Sequence, residues 1–215
     1  MKFKAVLFDL DGTLANSLYD LADSVNYTLA KNGFPIHETD AYKYFVGNGI
    51  PTMLRRAMPQ NEGDEVHEKL VKEFLEYYSI HSLDKTAPYE GIKELVYDLK
   101  SAGIKVAVVT NKAQEAAETV VKKLFGDVFD CVMGLSPGVP AKPDPTSALM
   151  VMEKLGVEPK DCAFIGDTSV DITVGVKSGA FTVGVLYGFR KKEELEAAGA
   201  KIFAKNADEL REILI

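Results

Sequence analysis

The chain has no tryptophan and only two cysteines in 215 residues, and its positive charge is in the minority, with 25 Lys and Arg against 32 Asp and Glu and a formal net charge of −7. Each shortage excludes something. Cys131 and Cys162 lie far apart, each in an apolar stretch, so they read as packed thiols rather than as a bridge or a metal site. That suits a reducing cytoplasm, the compartment expected here. An acidic chain lacks the clustered cations that grip a phosphate backbone without regard to sequence, so nucleic acid is not an expected partner. Nor does any apolar run reach the length of a membrane span. Met1-Lys2-Phe3-Lys4 begins like a signal peptide, but Asp9 and Asp11 end the apolar stretch that follows, and no membrane partner is expected. Repeats and low-complexity segments are missing too. What remains is enough chain to bury a core as one generous domain or two modest ones.

What is present is a regular alternation. Ala5-Val6-Leu7-Phe8 reads as a buried strand, and so do Lys105–Val109, Asp130–Met133, Cys162–Ile165 and Phe181–Leu186. Between them lie helical patterns ending in glycine, such as Ile92, Leu95, Leu99 and Ala102 before Gly103. Strand and helix in turn predict parallel βαβ units and a Rossmann-like, doubly wound α/β sheet. One helix is expected over 145–155, with Asp144 as its cap, Pro145 in its first turn and Gly156 closing it.

The first crossover breaks the pattern, because the stretch from Leu14 to Val106 far exceeds the dozen or so residues that a βαβ connection needs. It carries helical stripes of its own: Leu18, Leu21, Ala22, Val25 and Leu29; Ile50, Met53, Leu54 and Ala57; Val66, Leu70, Phe74 and Tyr77. A small helical cap domain is therefore expected over 15–82, inserted into a core made of 1–14 and 83–215. Its two connections, near 15–17 and 82–88, would be hinges.

Asp9-Leu10-Asp11-Gly12-Thr13 places two carboxylates one residue apart at the end of the first strand. Three more polar clusters stand after strands in the same way: Thr110-Asn111-Lys112, Lys142-Pro143 and Gly166-Asp167. In a parallel sheet all four share the carboxyl edge, where open α/β sheets bind their ligands. Singly, each has an ordinary explanation. Asp11-Gly12 makes a turn, Thr110 or Asp167 caps a helix, Lys142 is a solvated loop lysine, and Asp171 lies on an exposed face. Jointly, these explanations require four coincidences.

Asp9-x-Asp11-Gly12-Thr13, the strand ending in Thr110, Lys142-Pro143 and Gly166-Asp167-x-x-x-Asp171 resemble, in order and spacing, the four motifs of the haloacid dehalogenase superfamily. More closely, Val46-Gly47-Asn48-Gly49, Val109-Thr110-Asn111-Lys112, Lys142-Pro143-Asp144-Pro145 and Leu186-Tyr187-Gly188 resemble phosphoglycolate phosphatases. Two departures are Asn16, where such proteins commonly carry Asp before the serine at Ser17, and Tyr89-Glu90-Gly91, where Pro-Gly is usual.

The resemblance implies a phosphatase acting on a small phosphorylated metabolite. Asp9 would be the nucleophile that forms an aspartyl-phosphate, and Asp11 the acid and then the base. Mg²⁺ would be held by the Asp9 side chain, the Asp11 backbone carbonyl and Asp167, with Asp171 orienting a water or Lys142, or serving as a ligand itself. Lys142, the Thr110 hydroxyl and backbone N–H groups around Leu10 and Asn111 would cradle the phosphoryl oxygens. The cap would select the leaving group, with Gly47, Asn48 and Gly49 as candidates because glycine lets backbone N–H groups approach a small anion. That loop is equally a flexible turn, and Arg55 and Arg56 nearby read as solvated. A 2-phosphoglycolate phosphatase is the leading reading. A β-phosphoglucomutase-like sugar phosphomutase and a pyrophosphatase use the same core. A phospho-accepting receiver domain also gathers these residue types, but it needs no inserted cap, and a catalytically idle binding protein would not need all the motifs. Oligomeric state is not legible in the sequence.

Overall fold

The computed structural model describes residues 3–215. In chain order the elements are β1 (Ala5–Phe8), β2 (Ala15–Asn16), α1 (Leu18–Lys31), α2 (Thr39–Phe45), α3 (Ile50–Ala57), α4 (Asp64–His81), β3 (Ala87–Pro88), α5 (Ile92–Ser101) and β4 (Lys105–Ala113). There follow α6 (Gln114–Phe125), β5 (Cys131–Leu135), α7 (Thr146–Leu155), β6 (Cys162–Gly166), α8 (Ser169–Ser178), β7 (Phe181–Val185), α9 (Lys192–Ala197), β8 (Ile202–Ala204) and α10 (Ala207–Leu214). The chain divides into two compact units, one running up to Ala15 and resuming over Pro88–Ile215, the other spanning Asn16–Ala87.

The first unit is an α/β layer structure. Its six strands pair in parallel in the order β5-β4-β1-β6-β7-β8. β1 is buried at all four residues because it lies mid-sheet with apolar layers on both faces, which is why its sequence is a continuous apolar run rather than an alternating one. On one face Leu7, Val109 and Phe164 pack with Ala148, Val151, Met152 and Leu155 of α7 and Val174 of α8. Cys131 and Cys162 sit in this cluster as free, buried thiols. The strand order reverses at β1, so the crevice at its carboxyl end is the topological switch point of the sheet.

Several boundaries differ from those the sequence suggests. The strand expected over 105–109 runs on to Ala113, with a register shift between Val109 and Ala113, so Thr110, Asn111 and Lys112 occupy an irregular extension of the strand rather than a loop after it. The helix expected from 145 begins at Thr146. Pro145 is its capping residue, and Asp144 lies one position before it, its carboxylate accepting from the Thr146 N–H at 2.9 Å and from the Thr146 hydroxyl. The sixth strand, β8, is an addition, since three residues are too short for an alternation to show.

The second unit is helical. Leu21, Val25 and Leu29 of α1 are buried, as are Tyr42 of α2, Met53 and Leu54 of α3, and Leu70 and Phe74 of α4. The last turn of α4 buries Tyr78 in place of Tyr77, which stacks instead on Tyr27 with ring centroids 3.9 Å apart. α2 is a further addition, a seven-residue helix with Tyr42 as its buried residue. The Tyr42 hydroxyl donates to Asn26 Oδ1 at 2.6 Å, and Asn26 also exchanges two hydrogen bonds with the His37 backbone. Buried Asp20 accepts from the Lys85 and Thr86 backbone N–H groups and from the Thr86 hydroxyl at 2.6 Å, tying the returning chain to α1. Among the described residues no helix is long and apolar enough to cross a membrane.

Candidate active site

Phe8, Val108 and Ile165 stand level across β4, β1 and β6, so the residues that follow them leave the sheet at one edge. Asp9 comes directly after β1, its N–H held by the Ile165 carbonyl at 2.9 Å. From there the chain turns sharply, with Leu10 O accepting from the N–H groups of Leu14 and Ala15 and Gly12 N donating to Ala15 O. Gly12 has φ 92, and a Cβ there would run into the Asp167 carboxylate. Glycine is needed at this point on both counts. The turn wraps Asp167: Thr13 donates its hydroxyl to Asp167 Oδ1 at 3.0 Å, and Phe189 N–H donates to Oδ2 at 2.8 Å.

Lys142 enters from the loop after β5, across a cis Lys142-Pro143 peptide. Asn111 clamps its backbone in both directions, receiving Lys142 N–H at 2.8 Å and donating to Lys142 O at 3.0 Å. The ammonium then meets Asp9 Oδ1 at 2.8 Å, Asp171 Oδ1 at 2.7 Å and the Val109 carbonyl at 2.9 Å, so each of its three N–H groups has an acceptor. The other Asp171 oxygen accepts from the N–H and hydroxyl of Thr168, completing a capping box on α8. Both oxygens of Asp171 are thus engaged in fixing Lys142 and the helix start. Thr110 is buried and does not cap α6; its hydroxyl accepts from Lys112 N–H at 3.2 Å.

The comparisons with known proteins agree with one another. The profile of the haloacid dehalogenase-like hydrolases matches residues 6–185. The chain belongs to this family. Among similar proteins, a phosphoglycolate phosphatase of Haemophilus influenzae (strain Rd) is 36% identical over 197 residues, 87% of this chain and 88% of that one. A phosphoglycolate phosphatase of Pseudomonas putida is 30% identical over 98% of this chain and 78% of its own length. An N-acetylmuramic acid 6-phosphate phosphatase of Pseudomonas aeruginosa is 32% identical over 100% of this chain and 96% of its own. A solved structure from Lactobacillus delbrueckii subsp. bulgaricus superposes with a TM-score of 0.95 at 30% identity, covering 100% of this chain and 99% of the other.

The electrostatics of this haloacid dehalogenase-like site are those of crowded carboxylates. Burial pushes the Asp9 carboxyl up to about 7, and the neighbouring Asp171 adds to the effect while Lys142 opposes it. Asp167 is likewise raised well above the ordinary range, first by burial and then by Asp171 and Asp9. Burial alone would lower Lys142, but Asp171 and Asp9 outweigh it and hold the ammonium charged. Carboxylate oxygens of Asp9, Asp167 and Asp171 lie within 4.8 Å of one another, all three residues buried. Hard oxygen donors carrying excess negative charge in a desolvated cluster fit a hard divalent cation. The donors on Asp167, the Thr13 hydroxyl and the Phe189 N–H, are neutral, whereas Asp171 meets the Lys142 ammonium on one oxygen and Thr168 on the other, and Asp9 meets the same ammonium on Oδ1.

Asp9, Leu10, Asp11, Thr110, Asn111, Lys142, Asp167 and Asp171 all fall in the α/β unit at the carboxyl edge described. Gly47, Asn48 and Gly49 belong to the helical unit. There Arg56, exposed as expected, also donates to the Tyr44 and Phe45 carbonyls and to Asn48 Oδ1 at 2.9 Å, and Arg55 pairs with Asp64 at 2.5 Å. Two features escape a linear reading. Lys112, buried to 6% exposure, pairs with both oxygens of Asp11 at 3.2 and 3.3 Å. No local signal announces this pairing, because the register of β4 shifts between Val109 and Ala113. The segment Tyr187-Gly188-Phe189 holds Thr13 and Asp167 in place, the Tyr187 hydroxyl donating to Thr13 O at 3.0 Å, and no local pattern announces such contacts.

Proposed function

We propose that this hydrolase is a Mg²⁺-dependent phosphatase of a small phosphomonoester, 2-phosphoglycolate above others, working through a phosphorylated Asp9. The observation that carries the reading is Asp9 itself, a carboxylate at the switch point of the sheet, held at 2.8 Å by a lysine whose other N–H groups are already fixed. Phosphate monoesters are so inert that about 20 kcal/mol must come off the barrier, and positioning and charge must supply most of it.

The Asp9 carboxylate attacks phosphorus in line, forming an acyl-phosphate bond as the bond to the ester oxygen breaks. Asp11 gives its proton to the departing alkoxide. It then takes a proton from the water that attacks the acyl phosphate, releasing inorganic phosphate and restoring Asp9. Lys142 and the Thr110 hydroxyl, with the backbone N–H groups of Leu10 and Asn111, stabilise the charge on the transferring oxygens. Mg²⁺, held by Asp9, Asp167 and the Asp11 carbonyl, would neutralise the repulsion between nucleophile and phosphate dianion. The loop Gly47-Asn48-Gly49, braced by Arg56, is the candidate for contacts that discriminate among leaving groups.

The names of the relatives support two substrate readings, a phosphoglycolate and an N-acetylmuramic acid 6-phosphate, and the more numerous phosphoglycolate phosphatases favour the first. The decisive experiment measures phosphate release from both compounds, several sugar phosphates, pyrophosphate and an aromatic phosphoester, with Mg²⁺ or EDTA, for the native chain and Asp9→Asn. Mg²⁺-dependent hydrolysis that Asp9→Asn loses by about 10³-fold or more is expected. A folded, Mg²⁺-loaded protein that releases phosphate from none of them would overturn the proposal.

A further inference from the structure

Two buried ammonium groups serve the carboxylates at this edge, and their commitments differ. Lys142 is placed between Asp9, Asp171 and the Val109 carbonyl, all of its N–H groups on the nucleophile's side. Lys112 sits on the irregular extension of β4, its side chain 3% exposed, and faces the carboxylate of Asp11. If Asp11 is the group that protonates the leaving oxygen, as the proposed function has it, that oxygen must come within about 2.7 Å of an Asp11 oxygen. Lys112 Nζ lies 3.2 and 3.3 Å from the two Asp11 oxygens, so by the sum of the two separations it comes within about 6 Å of the ester oxygen.

That separation is chemically selective. A carboxylate on the first carbon beyond the ester oxygen carries its own oxygens about 3 Å from that oxygen, and a charge-assisted hydrogen bond spans about the same distance again. A carboxylate attached far along a sugar does not meet this constraint. A neutral leaving group leaves the lysine with its Asp11 partner and gains nothing. We propose that Lys112 is a specificity-determining residue, forming with Asp11 a subsite for a carboxylate borne on the carbon next to the phosphoester oxygen. This rests on the phosphatase reading and adds to it the residue that would recognise the carboxylate of a 2-phosphorylated α-hydroxy acid.

The test compares kcat/KM for 2-phosphoglycolate with that for ethyl phosphate, a neutral leaving group of similar size, in the native chain, Lys112→Met and Lys112→Gln. The native ratio is expected to exceed one by on the order of 10- to 100-fold, with most of the difference in KM. It should collapse toward one in both variants, and Lys112→Arg, which keeps the charge, should recover part of it. A native ratio near one overturns the inference while leaving the phosphatase reading intact, since ethyl phosphate is still hydrolysed. An unchanged ratio in folded Lys112→Met, with both esters slowed alike, overturns it too, because the lysine would then act only through Asp11. Circular dichroism establishes that each variant is folded. If both neutral variants unfold, Lys112→Arg decides: a ratio between one and the native value is in favour, and an unchanged native ratio is against. Hydrolysis of neither ester marks failure of the phosphatase reading instead.

Discussion

Lys142 Nζ lies 2.8 Å from Asp9 Oδ1 and 2.7 Å from Asp171 Oδ1, so one buried ammonium joins the carboxylate after β1 to the first turn of α8. The link has a direction. Asp171 is fixed by Thr168 through the capping box, Asp171 fixes Lys142, and Lys142 orients Asp9. Lys142→Met keeps the stem and removes the charge. It should lower kcat by roughly 10²- to 10³-fold, the scale on which loss of a preorganised charge beside the transferring oxygens is felt. Asp171→Asn acts one step further away and should cost about 10- to 100-fold, the scale of an outer-shell partner. Steady-state kinetics on a phosphoester turned over by the native chain gives the order, and a larger loss in Asp171→Asn than in Lys142→Met would contradict it.

The raised carboxyls make stability depend on pH in a definite sense. Asp9 titrates near 7 in the folded chain, against an ordinary value of 3.8, so between those limits the folded state binds more protons than the unfolded state. Stability therefore falls as pH rises from about 4 to about 7, and Asp167, shifted in the same direction, adds to the fall. A divalent cation on these oxygens removes the penalty and competes with the protons. Melting curves in EDTA should move down between pH 5.5 and 8, and the increase in Tm on adding Mg²⁺ should be larger at pH 8 than at 5.5. An increase independent of pH would mean that these carboxylates are not the ligands.

Asp20 supports a prediction confined to the helical unit. Its buried carboxylate accepts from two backbone N–H groups and one hydroxyl of Lys85 and Thr86, and Asp20→Ala would leave those donors without a partner. The expected loss is about 2–4 kcal/mol, or roughly 5–15 °C in Tm for a chain of this size. Asp20→Asn keeps an acceptor and should lose less. Thermal unfolding of the two variants measures the difference, and equal losses would show that the charge rather than the acceptor matters.

What could be read from the sequence follows physical range. Ala5-Val6-Leu7-Phe8 is legible because a strand buried on both faces must be apolar throughout, and the convergence of Asp9, Thr110, Lys142 and Asp167 follows once the strands are parallel. Contacts made at long range without a local pattern are not legible. Asp20 reaches Thr86, 66 residues on, and no stripe or local motif announces that contact. α2 and β8 are too short for periodicity to register. Lys112 has an ordinary sequence context and an unusual partner, and only the bulge that shifts the register of β4 after Val109 reveals why its ammonium is buried.

Gly188 carries the last prediction. A Cβ added there would collide with the Asp167 Cβ, lie 2.6 Å from Asp167 Oδ2 and come within 2.5 Å of the Gly12 carbonyl, so the obstacle on one side is backbone and cannot swing away. The neighbouring Phe189 N–H donates to that same Asp167 oxygen, and Tyr187 holds Thr13, whose hydroxyl donates to the other. Gly188→Ala must therefore displace the 187–189 segment, Asp167 or both. Overpacking of this kind costs about 1–3 kcal/mol, but the site should suffer more than the fold, because a carboxylate proposed to hold the metal loses its orientation while β1 and its neighbours keep their core. The Mg²⁺ concentration giving half-maximal activity should rise by about tenfold or more with a modest fall in Tm. A variant with reduced Tm and unchanged Mg²⁺ dependence would show that Asp167 keeps its place without the glycine, and that the close approach at 188 serves packing alone.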